Sequence, residues 1–505
     1  MTSLPSRPRL VDHARARRHL MDGEERVILH DTRTGGRIVL DARTWGLLAC
    51  ADGTRDVEGI LTAAAREGAH ARIPALRAFL EQLHAAGLID EGAASTAGVA
   101  ATTASAAQAT PPAPSSADAD PPASSPTSPE RLLDVLPDFT LHCDGRGSCC
   151  RIYPTILFAP AETARARAAL PLVLDAGDQP ARAFLPEQGT GPCAASAVAL
   201  DNGRCVYLQE DTRCGIHTAA GATAKPFGCR LYPAALVDDG QRVRVSVLVE
   251  CSCVLASVDQ HDGAPILPGA PRTRADLDPA LHITELPRAL PITTDASAPR
   301  DDVIAWSRAL LAAPPPADVP ASLWALAAAL ERSGPCPDAA VRALSDAPPL
   351  TPSHLAPWIE ALAARVHRRA SEDAAFRSPH DLAQRTFVWL AATTRALLLP
   401  DLVHLILTAE APPARRAERF HLRAALHGHQ FLGPAPLAHR LRDAATRLIV
   451  ARAMTLGLAT VAGDPDAEPQ DDPASEHPLA LLEAVLRGHG LAAYASDVDT
   501  CHRED

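Results

Sequence analysis

Cys143-Asp-Gly-Arg-Gly-Ser-Cys149-Cys150 is the stretch on which the reading turns. Downstream it is answered by Gly203-Arg-Cys205-Val-Tyr207-Leu, Cys214-Gly-Ile216-His217, Lys225-Pro226-Phe-Gly-Cys229-Arg230-Leu-Tyr232-Pro233 and Cys251-Ser-Cys253. Together with Gly191-Pro-Cys193 these pieces hold nine of the twelve cysteines. Glycine and proline interrupt nearly every step, so the region reads as loops, with one clear strand at residues 243–249. An odd number of thiols without an export signal argues against a disulfide framework and for metal or redox chemistry. Thiolates are soft ligands that select zinc, copper(I) or iron–sulfur clusters. The close pairs Cys149/Cys150 and Cys251/Cys253 lack the C-x2-C spacing of a zinc ribbon, whereas iron–sulfur sites tolerate more varied spacing. The nine thiols can supply one four-ligand site with some left over, or two sites. A bound metal can also hold together loops that have little core of their own.

Around this region the chain divides. It has 505 residues, which suggests about three domains. Residues 91–130 are almost wholly Ala, Ser, Thr, Pro, Gly, Asp and Glu, and read as a disordered linker. The reading places one domain at 8–90, a cysteine domain at 135–260 and a helical domain at 270–505. The fold class expected is α+β, mainly α. In the first domain, 26–30 and 37–40 read as strands, Asp41 as a helix cap, Asp52-Gly53-Thr54 as a break, and Ile73 to Leu83 as a helix ended by Gly87. In the last, Leu355, Ile359, Leu362 and Val366 keep helical spacing, as do Leu437, Leu441, Leu448 and Ile449. Residues 464–476 read as an exposed acidic loop.

The formal charge of −12 excludes a general nucleic-acid binder, and no apolar run is long enough to cross a membrane. The expectation is a cytoplasmic protein. Lys225 is the single lysine against 47 arginines. A compact, titratable ammonium is what arginine cannot replace. The basic, histidine-rich stretch Arg415, Arg416, Arg419, His421, Arg423, His427, His429 reads as a solvated helix face, with an anion or peptide-carboxylate contact as the sharper alternative. No dinucleotide, phosphate-loop, H-E-x-x-H or G-x-S-x-G pattern occurs.

Three resemblances sharpen this. The segment from Val27 to Asp90, with Trp45 and Asp52-Gly53-Thr54, resembles the PqqD-like peptide-recognition family. That resemblance implies a small winged-helix domain whose sheet edge accepts a leader peptide as an extra strand. The order C-x5-C-C, G-x-C-x-Y-L, C-x-I-H, K-P-x2-C-R-x-Y-P resembles the YkgJ-type cysteine-cluster domain, a zinc- or iron-chelating family. It carries over to Cys149, Cys150, Cys205, Cys214 and Cys229, with Cys143 at the upstream cysteine. Cys251 and Cys253 complete the metal-ligand candidates. Lys225, Arg230, His217 and Tyr232 stand beside them as residues that neutralise charge or pack. His217 occupies what is usually an aromatic position, which favours packing. The layout is also similar to flagellin lysine N-methylases, which implies an iron–sulfur cluster and S-adenosylmethionine. The resulting expectation is an iron–sulfur or zinc protein that modifies a peptide or protein substrate by redox chemistry or methyl transfer. The rival is a non-catalytic metal-chelating or structural-zinc protein with an assembly role.

Overall fold

The computed structural model describes residues 4–11, 13–21, 24–31, 36–66, 69–91, 131–153, 156–169, 183, 196–260, 262–278, 281, 283–374, 381–458, 473 and 476–488. Nearly all of the expected linker, most of the acidic loop, Cys193 and Cys501 lie outside the described residues. The fold is α+β and mainly helical. Two compact units divide it: Met1–Val11 with Gly46–Glu130, and Asp12–Trp45 with Arg131–Asp505.

In the first unit, helix Val57–Arg66 packs on helix Ile73–Ala85. Val57, Ile60, Leu76, Leu80 and Leu83 are buried. Asp56 starts the first of these helices, its Oδ1 accepting from Gly59 N–H at 2.8 Å. Gly87, at φ +71°, ends the second with an N–H bond to His84 O. Strand Pro8–Leu10 pairs antiparallel with Ile89–Glu91.

The second unit contains the expected hairpin, Glu24–Asp31 against Arg37–Asp41. Asp41 caps the following helix, Ala42–Ala49, by accepting from Thr44 N–H at 2.6 Å. The hairpin was expected inside a domain at 8–90, yet it belongs to the second unit. An additional strand, Ala14–Met21, pairs with Glu24–Asp31 and runs parallel to Leu200–Asp201 through His19 and Leu200. The resulting sheet has the order Arg204–Cys205, Leu200–Asp201, Ala14–Met21, Glu24–Asp31, Arg37–Asp41. A second sheet has Ala234–Asp238 and Val243–Val247 at its centre, flanked by Thr284–Glu285 and Leu133–Val135. All five residues of Val243–Val247 are buried.

A single core cluster runs from Leu136 to Leu486, through both the cysteine region and the helical half. The expected boundary near 260–270 is therefore not a gap in packing. The valine strand is covered by helix Pro412–His427, where Ser246 Oγ donates to Ala424 O at 2.7 Å and Gln430 Nε2 to Val247 O at 2.9 Å. Gly428 is required at this crossing, because a Cβ there would stand 2.5 Å from Ser246 Cβ. Among the described residues no single helix is long and apolar enough to cross a membrane.

The histidine-rich stretch corrects its expectation. It is not a solvated face, because His421, His427 and His429 are all buried. Packing on the valine strand and on helix Arg300–Ala312 turns them inward, while Arg416 stays exposed and Arg423 half-exposed. His427 Nε2 lies 3.0 Å from Asp134 O, and His429 Nε2 lies 3.4 Å from Asp239 Oδ2. Burial alone would raise the Asp239 carboxyl. Bonds from His429, Arg242, Arg244 and Gln241 overcome it and hold the group well below the carboxylate range.

His421 stands edge-on to Phe431, and burial lowers its pKa to about 3. The unfolded histidine titrates near pH ~6.5, so the unfolded chain takes up the proton first. The stability due to neutral His421 is present above that pH. It is lost at about 1.4 kcal/mol per unit as the pH falls toward the folded pKa. Burial lowers His427 and His477 too, with the same sign. Urea midpoints are expected to fall between about pH 7 and 5, and His421→Leu should flatten that slope. An unchanged slope in the variant would remove His421 from the account.

Candidate metal centre

Four chain segments bring five thiols to one cavity. The loop from Cys143 to Ser148 leads into the short helix Cys149–Ile152. It lies flat against the next segment: a Cβ on Gly147 would meet Leu208 Cδ1 at 2.7 Å, and Thr212 Oγ1 donates to Gly145 O at 2.6 Å. Ser148 Oγ pins the helix start by donating to buried Glu476 Oε1 at 2.5 Å. Cys205 ends strand Arg204–Cys205, and the chain folds back so that Leu208 bridges Cys214 and Gly215 N–H donates to Tyr207 O. Cys214 immediately precedes helix Gly215–Ala220. Cys229 lies in helix Phe227–Leu231, whose first N–H donates to Glu162 Oε1 at 2.5 Å.

The cavity has a volume of about 390 Å³. Its wall includes Cys149, Cys150, Cys205, Cys214 and Cys229, with Lys225 among them. Tyr153, Tyr207, Tyr232, Glu250 and Arg487 complete its polar lining. The sulfurs of Cys149 and Cys150 are 4.0 Å apart. Four sulfurs about 2.3 Å from one zinc would lie about 3.8 Å from each other, so this pair already has the separation of neighbouring ligands. The other thiols line the wall without closing on a common point. Among the described residues no group of three or more His, Cys, Asp and Glu side chains is assembled to hold an ion.

Charge is the controlling quantity here. The hydrogen bond to Cys150, followed by burial, raises Cys149 well above the thiol range, with Lys225 opposing. Burial and the neighbouring Cys149 push Cys229 up to about 12, again against Lys225. Both shifts favour the neutral thiol, and positive charge entering the cavity, as a soft metal would supply, favours the thiolate. The donor set fits a thiolate-bound metal in chemical type, although the donors must still draw together.

A second polar group lines the same cavity. The Tyr153 and Tyr232 hydroxyls are 3.1 Å apart, with the rings edge to face. Glu250 is buried, and Arg487 Nη1 donates to its Oε1 at 3.2 Å, while Oε2 makes no hydrogen bond within ordinary distance among the described residues. Burial raises its carboxyl pKa against the pull of Arg487 and Tyr153.

Of the ligand candidates, Cys143, Cys251 and Cys253 do not line this cavity. Cys253 Sγ instead donates to Asp144 Oδ1 at 3.2 Å. Of the neighbour candidates, Lys225 and Tyr232 line the cavity. Arg230 faces away: it stacks 5.0 Å above the Phe227 ring in a different pocket, of about 790 Å³. His217 is exposed on its helix. Cys50 is buried in the first unit and Cys336 is exposed. Sequence reading quoted Tyr207 within a motif but gave no site role to it, nor to Tyr153, Glu250 or Arg487. Glu250 left one signal, as an acid closing the apolar run before Cys251; Arg487 left none. Comparison of the chain with protein-family models, curated proteins and solved structures finds no match.

Proposed function

We propose that the cavity is a thiolate metal centre, an iron–sulfur cluster in preference to zinc, in an enzyme that modifies a peptide or protein. One observation carries this reading. The five cysteines that fit the YkgJ-type motifs come from four separated segments, and all five line one cavity together with the only lysine of the chain. Cys149, Cys150, Cys205, Cys214 and Cys229 would hold the group. A cluster supplies one-electron redox chemistry when bound, and zinc supplies Lewis acidity. Lys225 offsets the thiolate charge. Tyr153, Tyr232 and Glu250 present hydrogen-bonding groups to whatever enters beside the thiols. A methyl-transfer version requires S-adenosylmethionine as co-substrate. The PqqD-like role would fall on the sheet of the second unit, with Arg37–Asp41, an edge strand of that sheet, accepting the peptide.

The test is anaerobic purification of the full chain followed by metal and sulfide analysis and a visible spectrum. Iron with acid-labile sulfide and a broad visible absorption is the expected result. One zinc per colourless chain would replace the cluster by zinc. A chain that stays metal-free after reconstitution with iron and sulfide, and after zinc addition, would overturn the proposal.

A further inference from the structure

Helices Leu382–Ala396 and Pro400–Thr408 meet at a bend of 102°. Their inner faces belong to the core: Phe387, Leu390, Val403 and Ile406 are buried. Their outer faces are apolar as well. Val388, Leu398, Leu399 and Leu405 each keep between 45% and 58% of their surface in solvent. They are four of the nine large apolar side chains exposed among the described residues, and all four come from residues 388–405. Single exposed leucines are ordinary, whereas such a concentration marks a contact surface. Val388 and Arg395 share one face of the first helix by their i, i+7 spacing, as Asp401 and Leu405 share one face of the second by i, i+4. Leu398 and Leu399 occupy the bend between the two faces. Arg395 and Asp401 are both exposed, and neither side chain has an ion-pair partner among the described residues. They stand three positions to either side of Leu398.

We propose that this face docks a second copy of the chain about a two-fold axis through Leu398 and Leu399. The charges select that occupant. An anionic membrane surface calls for a cluster of cations, and this face carries one cation and one anion. An apolar centre with an arginine on one side and an aspartate on the other is complementary to itself. A two-fold axis through the centre brings Arg395 of each copy to the partner's Asp401, so the pair forms twice. The formal charge of −12 sets two copies against each other, so the leucines supply the affinity and the ion pairs fix the register. None of these residues lines the thiol cavity, so the proposal stands apart from the assignment of the metal centre.

The experiment is sedimentation equilibrium of the full chain over a range of concentrations, with dithiothreitol present to exclude cross-linking through exposed thiols. The expected result is a monomer–dimer equilibrium. Leu399→Asp should weaken it about 100-fold, because it sets two like charges at the desolvated centre. Arg395→Glu should weaken it about 10-fold or more, by facing the partner's Asp401 with a like charge. The double variant Arg395→Glu with Asp401→Arg exchanges the signs and keeps both pairs, so it should return to the affinity of the parent. All three positions are exposed, so the variants should keep the far-ultraviolet circular dichroism of the parent. Four results would overturn the proposal. One is a monomer at the highest concentration reached. Another is a dimer that Leu399→Asp leaves intact, which would form through a different surface. A third is a double variant as weak as Arg395→Glu alone. The last is a monomer that sediments with vesicles of phosphatidylcholine and phosphatidylserine and loses this in Leu399→Asp, which would make the face a membrane contact.

Discussion

Cys229→Ser is expected to empty the metal centre while leaving the fold in place. The side chain is half-buried on a five-residue helix, and serine is nearly its isostere, so packing changes little. What disappears is one soft donor of five in the cavity, and with it the thiolate that Lys225 is placed to offset. Removing an outer partner of a metal ligand typically lowers affinity about 10- to 100-fold. Loss of a ligand should exceed that, so the variant should purify with little metal and no visible band. Cys149→Ser should behave alike. Lys225→Met should fall between, at about 10- to 100-fold weaker retention under chelator challenge. Cys50→Ser and Cys336→Ser are the controls, since neither lines the cavity. The cysteine loops have a small core of their own around Phe158, Val198, Tyr207 and Ile216. Metal loss should therefore lower the melting midpoint of this part without unfolding the helices. Full metal content and an unchanged spectrum in Cys229→Ser would remove that residue, and with it the cavity assignment.

How much of this was legible depended on distance along the chain. Leu355, Ile359, Leu362 and Val366 announce one buried face by spacing alone, and all four are fully buried. The hairpin Glu24–Asp31 with Arg37–Asp41 and the Asp41 cap are equally local signals. Strand Ala14–Met21 gave no such signal. Its arginines break any apolar alternation, and its partner Leu200–Asp201 is remote in sequence. The same holds for Leu133–Val135, which finds its place only against Val243–Val245. In the site, cysteine is a residue type that declares its chemistry, so the five cavity thiols could be picked out by motif order. Glu250, Tyr153 and Arg487 are ordinary residue types whose importance comes from burial and from neighbours. The histidines failed for a related reason. A helix rich in Arg and His looks solvated until a strand covers it, and pairing Asp239 with Arg244 and His429 is a tertiary solution that periodicity does not encode.

Arg452→Met should be the most destabilising single change outside the cavity, at about 3–5 kcal/mol, because it strands a buried carboxylate. Arg452 is fully buried on helix Leu437–Thr455. Its Nε and Nη2 donate to the two oxygens of Glu418, at 3.0 and 2.8 Å, in a bidentate pair. Its Nη1 reaches Asp318 Oδ2 at 3.4 Å, and Asp318 Oδ1 caps helix Val319–Ser333 by accepting from Ala321 N–H. One guanidinium thus joins three helices, and without it Glu418 keeps its desolvation and loses its compensation. Burial already raises the Glu418 carboxyl against the pull of Arg452. In the variant that rise is larger, so folding favours protonated Glu418. A carboxyl with a raised folded pKa supports stability at low pH and loses it as the pH rises through that pKa. The deficit of Arg452→Met relative to the parent should therefore shrink toward about pH 4, where Glu418 is protonated in both states. Replacing both partners, Arg452→Met with Glu418→Leu, should recover most of the loss at neutral pH, because a packed apolar pair often equals or exceeds a buried ion pair. Urea unfolding of the parent, the single variants and the double variant measures the coupling directly. A cost below about 1 kcal/mol for Arg452→Met, or a double variant no more stable than the single, would show that the pair does not hold these helices together.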